Sequence, residues 1–348
     1  MSQIIDKRLT AGELFEKLKN VKVGNPLCEY TLARCTRLIP FIHSILDLKK
    51  KKNALILAHS YVHPDIIYTV ADHTGDSYGL SKKAMETSSD IIVFPAVRFM
   101  AETAKILNPT KTVIDPNPHG GCSLADSVAY EDVLRLRERY PQHTFVCYIN
   151  TTAAVKAACD VCVTSTNAFG IVEALPNDKI YFLPDKLMGQ NIQNYIKEKH
   201  IDKEILIYSG TCYVHEEFQE ESVRFLTNAH PQAKVIAHPE CRPDVVACAD
   251  FVSSTTGMMD YVKNHSSTNK TFLLLTECGV ASRLQIEYPE VSFIGGCMMC
   301  KYMKSNSLEM IKQALENPQP SQIIEIDPEI SKAALRCVNA MFYYAPAI

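Results

Sequence analysis

Three cysteines recur along the chain, each shortly after an apolar stretch: Cys122 in GGCSLADS, Cys212 in GTCYVHEEF and Cys300 in GGCMMCKYM, 90 and then 88 positions apart. Thiolates are soft ligands, suited to zinc or to an iron–sulfur cluster. Three of them on a [4Fe–4S] cluster leave one iron without a protein ligand, and Lewis-acid chemistry needs such an open position. Three thiolates and a water on zinc are the competing arrangement. Taken singly, each cysteine would be a small buried residue, the common role of a free thiol; the shared interval is what favours a metal. Cys297 competes with Cys300 as third ligand, and the unused one is a bystander or a redox partner.

The same interval governs other chemistry-bearing positions. His59, Tyr148 and His238 are 89 and 90 positions apart, and Ser77, Ser165 and Ser254 are 88 and 89 apart. With Tyr61, Asn150 and Glu240 close by, the first set supplies acids and bases over a wide pKa range, although a lone histidine at a strand end is more often structural. His215 and Glu217, just after Cys212, add a pair near the presumed metal. The turns Asp76-Ser77, Ser165-Thr166 and Ser254-Thr255 each read singly as helix N-caps. Three at one interval point instead to helix N-termini that hold carboxylate or phosphate. Arg98, Glu102 and Lys186 are set aside, because surface ion pairs explain them equally well.

These positions need a scaffold that repeats. The segments ALILAHSYVHPDIIYTVADHTGDSYGL (from Ala54), TFVCYINTTAAVKAACDVCVTSTNAF (from Thr144) and KVIAHPECRPDVVACADFVSSTTGM (from Lys234) share one pattern: apolar strand, polar turn, helical stretch and Ser/Thr turn. A second strand, an amphipathic helix and a third strand follow in each. Strands alternating with helices predict an α/β fold of three similar three-layer units with short parallel sheets around a pseudo-three-fold axis. Ligands bind beyond the carboxyl ends of such strands, where the residues above fall. The expected organisation is an N-terminal helical segment (1–52), units at 53–127, 128–216 and 217–304, and C-terminal helices (305–348). Lys49 to Lys52 read as a solvated helix end.

Composition excludes other classes. The 348 residues carry 36 Lys plus Arg against 39 Asp plus Glu, a net charge of −3, without the basic surplus of a nucleic-acid binder. At 47% hydrophobic the chain can bury a core. The opening MSQIIDKRLT lacks a signal pattern and no apolar run approaches the ~18 residues of a membrane span, so a cytoplasmic location is expected. There, 13 cysteines are not a disulfide framework. Cys28, Cys35, Cys147, Cys159, Cys162, Cys241, Cys248, Cys278 and Cys337 are read as core thiols.

At these residues the sequence resembles the quinolinate synthase family, over about Asn53 to Asn317. The carrying stretches include ALILAHSY, DHTGDSYGLSKKA, RFMAETAKILNP, GGCSLADS, YINTTAAVKA, YFLPDKLMGQ, GTCYVHEEF, AHPEC, SSTTGM and CKYMKSNSLE. The resemblance implies three α/β units around a [4Fe–4S] cluster. It also implies condensation of iminoaspartate with dihydroxyacetone phosphate to quinolinate, phosphate and water, on the way to NAD, and a functional contact with the enzyme supplying iminoaspartate. By the same resemblance Cys122, Cys212 and Cys300 are the cluster ligands, Cys300 being preferred for its Cys-x-x-Met context. Tyr61 and Glu240 are then the proton-transfer groups, with His59 and His238 positioning or polarising substrate. Ser77, Tyr148, Asn150, Ser165, His215, Glu217, Ser254 and Thr255 complete the implied pocket. Two departures stand out. The stretch between Tyr61 and Ala71 is one residue longer than the usual pattern, and VRFM with Arg98 replaces VHFM. The competing readings are a zinc-dependent lyase or hydrolase on the same thiolates and a non-enzymatic iron–sulfur sensor or carrier.

Overall fold

The computed structural model describes residues 8–346. It contains three four-stranded parallel sheets, one per unit. The first holds β1 (Ala54–His59), β2 (His73–Gly75), β3 (Ile91–Val93) and β4 (Thr112–Ile114) in the order β2-β1-β3-β4. The second holds β5 (Thr144–Tyr148), β6 (Val161–Val163), β7 (Lys179–Leu183) and β8 (Glu204–Ile207) in the order β6-β5-β7-β8. The third repeats the arrangement with β9 (Lys234–Ala237), β10 (Phe251–Val252), β11 (Thr271–Leu275) and β12 (Ser292–Ile294), in the order β10-β9-β11-β12. In each unit the chain visits an edge strand and then returns to the other side of its first strand. That reversal opens a crevice at the carboxyl ends of the central strands. His59 and Tyr148 end β1 and β5, and His238 directly follows β9.

The sequence predicts three strands per unit, and each unit has a fourth. The additional strands β2, β6 and β10 have only two or three residues, and β2 reads His-Thr-Gly. Too short for an apolar period, they exist because each pairs with a longer neighbour.

The helical segment before β1 comprises Ala11–Leu18 and Leu32–Lys51; its first seven residues lie outside the described residues. Helix Leu32–Lys51 leads into β1 as Tyr130–Arg139 leads into β5 and Glu220–Ala229 into β9. It therefore occupies a repeat position of its own. Lys49 departs from the solvated-end reading: its Nζ donates to the Val70 carbonyl (2.7 Å) and pairs with Asp72 (2.8 Å). At the other end of the chain, Leu308–Glu316 packs on Leu32–Lys51, and Pro328–Tyr344 packs on the second unit, against Ala153–Ala157 and β6.

One apolar core runs through all three units, with Phe272 and Leu274 of the third, and includes Val338 and Met341 of the last helix. A smaller core under the third unit gathers Phe218, Val235, Leu273 and Leu275. Phe145, Phe182 and Phe272, on central strands, are wholly buried, each worth roughly 1.5–3 kcal/mol of transfer free energy. No helix among the described residues is long and apolar enough to cross a membrane. Cys278, read from sequence as a core thiol, is joined to Cys297 in a disulfide. The sequence could not anticipate this, since nothing in their spacing brings β11 and the loop after β12 together.

Candidate active site

The three crevices open onto one cavity. Its wall includes Cys122, Cys212 and Cys300 together with His59, Tyr61, Ser77, Tyr148, Asn150, Ser165, His215, His238, Glu240 and Thr255. Thirteen of the fifteen residues singled out in the sequence thus meet in one place. Ser254 lies just behind the wall, buried, with its hydroxyl on Asp76. Glu217 is a correction: it caps the short helix Tyr213–Glu216, is exposed, and is absent from the wall. That helix turns His215 inward, and the residue two positions on faces out.

Local structure fixes each side chain. The buried Lys156 donates to the carbonyls of Ile149 (2.8 Å) and Thr151, clamping the turn that presents Tyr148 and Asn150. Backbone amides of Tyr61 and Glu240 donate to Nδ1 of His59 (3.2 Å) and His238 (3.3 Å). The two strand-end histidines are thereby held as acceptors at Nδ1 in the same way, one in the first unit and one in the third.

The side chains then bond across units. Tyr148 donates to Glu240 Oε1 (2.5 Å), and His215 Nδ1 lies 3.1 Å from Glu240 Oε2. Thr276, the residue after β11, meets the Tyr61 hydroxyl at 2.8 Å and His215 Nε2 at 3.1 Å. The Thr255 hydroxyl donates to that of Tyr61 (3.1 Å), and the rings of His215 and His238 stack with centroids 4.5 Å apart.

The three Ser/Thr turns also converge. Asp76 caps helix Ser77–Glu86 through Gly79 N (2.9 Å) and accepts from Thr166 (2.9 Å) and Ser254 (3.2 Å). One carboxylate therefore ties together turns from all three units. Among the described residues the wall carries no lysine or arginine, so an anion there must be met by hydroxyls, the Asn150 amide, helix N-termini and whatever the thiols hold.

Electrostatics sorts the titratable groups. Burial pushes the His59 imidazole down to about 4 and that of His238 down to about 3, so both are neutral at pH 7. Burial and then the charge of Glu240 push the phenols of Tyr61 and Tyr148 well up, and both stay protonated. Burial acts to raise Glu240, but the charge and hydrogen bond of His215, with His238 and Tyr148, outweigh it and hold the carboxyl at about 2. An ionised carboxylate thus sits beside His215, with protonated phenols and the neutral imidazoles of His59 and His238 around it.

The thiols suit a metal group. Cys122, Cys212 and Cys300 are half-buried and unpaired. Burial pushes the Cys122 thiol up to about 12, with Cys300 adding to it; burial also pushes the Cys212 thiol up, with Glu240 and Cys122 adding to it. Thiols that resist ionisation alone are deprotonated by a bound cation. Three ligands of one zinc would stand ~3.8 Å apart. Among the described residues the groups gathered within 4.8 Å are Cys212/His215/Glu240 and Cys28/Cys278/Cys297, and the cavity's three thiols are not one of them. The cavity's three thiols are therefore spread more widely than the ligands of one zinc.

Several functional positions had no signal of their own. Thr276 and Glu277 follow β11 as His59 ends β1, so the strand-end rule applied to the second long strand of the third unit would have found them. Glu277 lines the cavity, is wholly buried, and pairs with Lys304 (3.1 Å) while accepting from the backbone of Cys300 (3.2 Å). Arg98 and Lys186 lie outside the wall. Glu102 caps the second unit's helix through Ala153 N (2.8 Å).

Known proteins share this chain's pattern throughout. The family profile described as Quinolinate synthetase A protein matches residues 43–343. Quinolinate synthase 1 of Mesorhizobium japonicum is 45% identical over 302 residues, which is 87% of this chain and 90% of that protein. Quinolinate synthase 2 of the same organism is 45% identical over 325 residues, covering 91% of this chain and 98% of its own length. The quinolinate synthase of Caldicellulosiruptor saccharolyticus is 46% identical over 273 residues, covering 78% and 88%. Three sheets with one cavity between them, and similarity along nearly the whole length, lead to one conclusion: the chain belongs to the quinolinate synthase A family.

Proposed function

We propose that the chain condenses iminoaspartate with dihydroxyacetone phosphate to quinolinate, phosphate and water, using the cavity between its three units. The observation that carries the reading is the convergence of one thiol, one titratable strand end and one Ser/Thr turn from each unit on a single wall. Cys122, Cys212 and Cys300 would hold a [4Fe–4S] cluster, whose iron without a protein ligand supplies Lewis acidity.

The protein's own groups do the rest. Ser77, Ser165, Thr255 and Asn150 donate to the carboxylates of one substrate and the phosphate of the other. Neutral His59 and His238 donate to or accept from carbonyl and hydroxyl oxygens without adding a charge. Glu240 is the proton acceptor. His215, 3.1 Å away, and Tyr148, 2.5 Å away, hold its carboxylate ionised and so free to take up a proton. Tyr61, kept protonated, donates to departing oxygen, and Thr276 and Thr255 orient its hydroxyl. The buried wall excludes water from the imine, which hydrolyses readily. That sensitivity favours contact with the enzyme that supplies it and a cytoplasmic setting shared with that enzyme.

The test is anaerobic purification, iron, zinc and sulfide analysis, and assay with both substrates. Quinolinate formation by protein holding four irons and four sulfides is the expected result. A colourless zinc protein would point to the Cys212, His215 and Glu240 trio as a mononuclear site and overturn the cluster. An intact cluster without turnover would favour a sensor.

A further inference from the structure

A second gathering of thiols lies outside the cavity. The sulfurs of Cys28, Cys278 and Cys297 are all within 4.8 Å of one another. They come from three places: Cys28 ends the turn Pro26–Cys28 of the N-terminal segment, Cys278 opens helix Cys278–Glu287, and Cys297 sits in the loop between β12 and Cys300. Cys28 and Cys278 are 1% and 3% exposed. Val23 is buried with Cys28 and Cys278, and Cys297 and Met299 pack against them. Single buried thiols are ordinary core residues. Three brought within one ion's reach, one of them 250 or more positions from the other two in the chain, form a ligand set.

We propose that in the reduced chain Cys28, Cys278 and Cys297 form a three-thiolate site for one thiophilic d10 cation of the zinc class, separate from the group proposed on Cys122, Cys212 and Cys300. Thiolates on one zinc at ~2.3 Å lie ~3.8 Å apart, within the observed envelope. Sulfur-only donors with a thioether alongside select soft cations over magnesium or calcium. In this structure Cys278 and Cys297 form a disulfide and Cys28 is a free thiol, so loading starts from the reduced form. A phosphine, with one water, reduces the disulfide to two cysteine thiols and leaves as its oxide. The cation then displaces three thiol protons. Bound there, it ties the N-terminal segment to the loop bearing Cys300. That loop is already linked to helix Cys278–Glu287 by Cys278 N on the Met298 carbonyl (3.0 Å) and by Cys300 N on Glu277 (3.2 Å).

The test does not depend on quinolinate formation. Anaerobically purified protein of measured iron and sulfide content is reduced with a phosphine, desalted, equilibrated with zinc chloride and desalted again. About one zinc per chain should remain, with the iron unchanged, and zinc-edge X-ray absorption should show three sulfurs at ~2.3 Å. Cys28→Ser and Cys278→Ser should each lose the zinc and keep the iron. In the unmutated chain, zinc should protect Cys28, Cys278 and Cys297 from alkylation, a readout that needs no variant to fold. Absence of zinc from the reduced chain, zinc retained by both variants, zinc gained only as iron is lost, or unprotected thiols would each overturn the site.

Discussion

Tyr148, at the end of the second unit's first strand, donates its phenolic hydrogen to Glu240, two residues beyond its counterpart strand end in the third unit. Two positions that the repeat makes nearly equivalent have become a donor and an acceptor facing each other. Glu240→Gln keeps the shape and the hydrogen bond but removes the base. We expect kcat/KM to fall roughly 10²- to 10⁴-fold with iron and sulfide content unchanged, measured by steady-state assay beside metal analysis. Full turnover in this variant would remove Glu240 from the proton path.

The division of labour among the cysteines of the Cys300 loop is directly testable. Cys122→Ser, Cys212→Ser and Cys300→Ser should each give protein that loses iron, sulfide and visible absorbance. Cys297→Ser should retain them, because Cys297 packs beside Cys278 and not on the cavity wall. Cluster loss on changing Cys297, with retention on changing Cys300, would reverse the assignment.

Stability should fall on the acid side in a defined window. In the unfolded chain His59 and His238 take up protons below pH ~6.5, whereas in the folded chain they refuse them until about 4 and about 3. Between those limits the unfolded state binds more protons, so stability rises with pH and is complete above ~6.5. Each group contributes up to ~1.4 kcal/mol per pH unit inside the window. Urea midpoints at pH 7.5 and pH 5 should differ clearly in the unmutated chain and less in His59→Asn. Equal slopes for the two proteins would show that His59 is not the group responsible.

At Gly279 the third unit lies close against the first. A Cβ there would stand 2.8 Å from the Tyr61 Cα and 2.9 Å from Lys304 Nζ. The first neighbour is backbone and cannot swing aside. Gly279→Ala should cost about 1–3 kcal/mol of stability and lower kcat by displacing Tyr61. Thermal midpoints and rates together check this, and an unshifted midpoint with full activity would contradict the packing.

Much of this was legible in the sequence, for a physical reason. Repeated units keep their strand ends at one spacing, so His59, Tyr148, His238 and the three cavity cysteines announce themselves by interval. Contacts made between units have no period. Asp76 reads as an ordinary cap, yet it accepts hydroxyls from the other two units. Thr276 and Glu277 follow a strand that is the second long one of its unit and carry no counterpart signal. The pairing of Cys278 with Cys297 depends on how a helix start and a loop fold back together. Glu217 faces away, and adjacency to Cys212 says nothing about which way a short helix turns.

Three equivalent seats around the cavity are occupied by His59, Tyr148 and His238. A scaffold with three like corners, filled identically, would meet any guest in three indistinguishable poses. Two unlike substrates must enter in one orientation and leave as one ring, so direction has to be written where the copies disagree. Handedness and order in this enzyme therefore reside in the residues that spoil its symmetry, and the repeat itself supplies only the room.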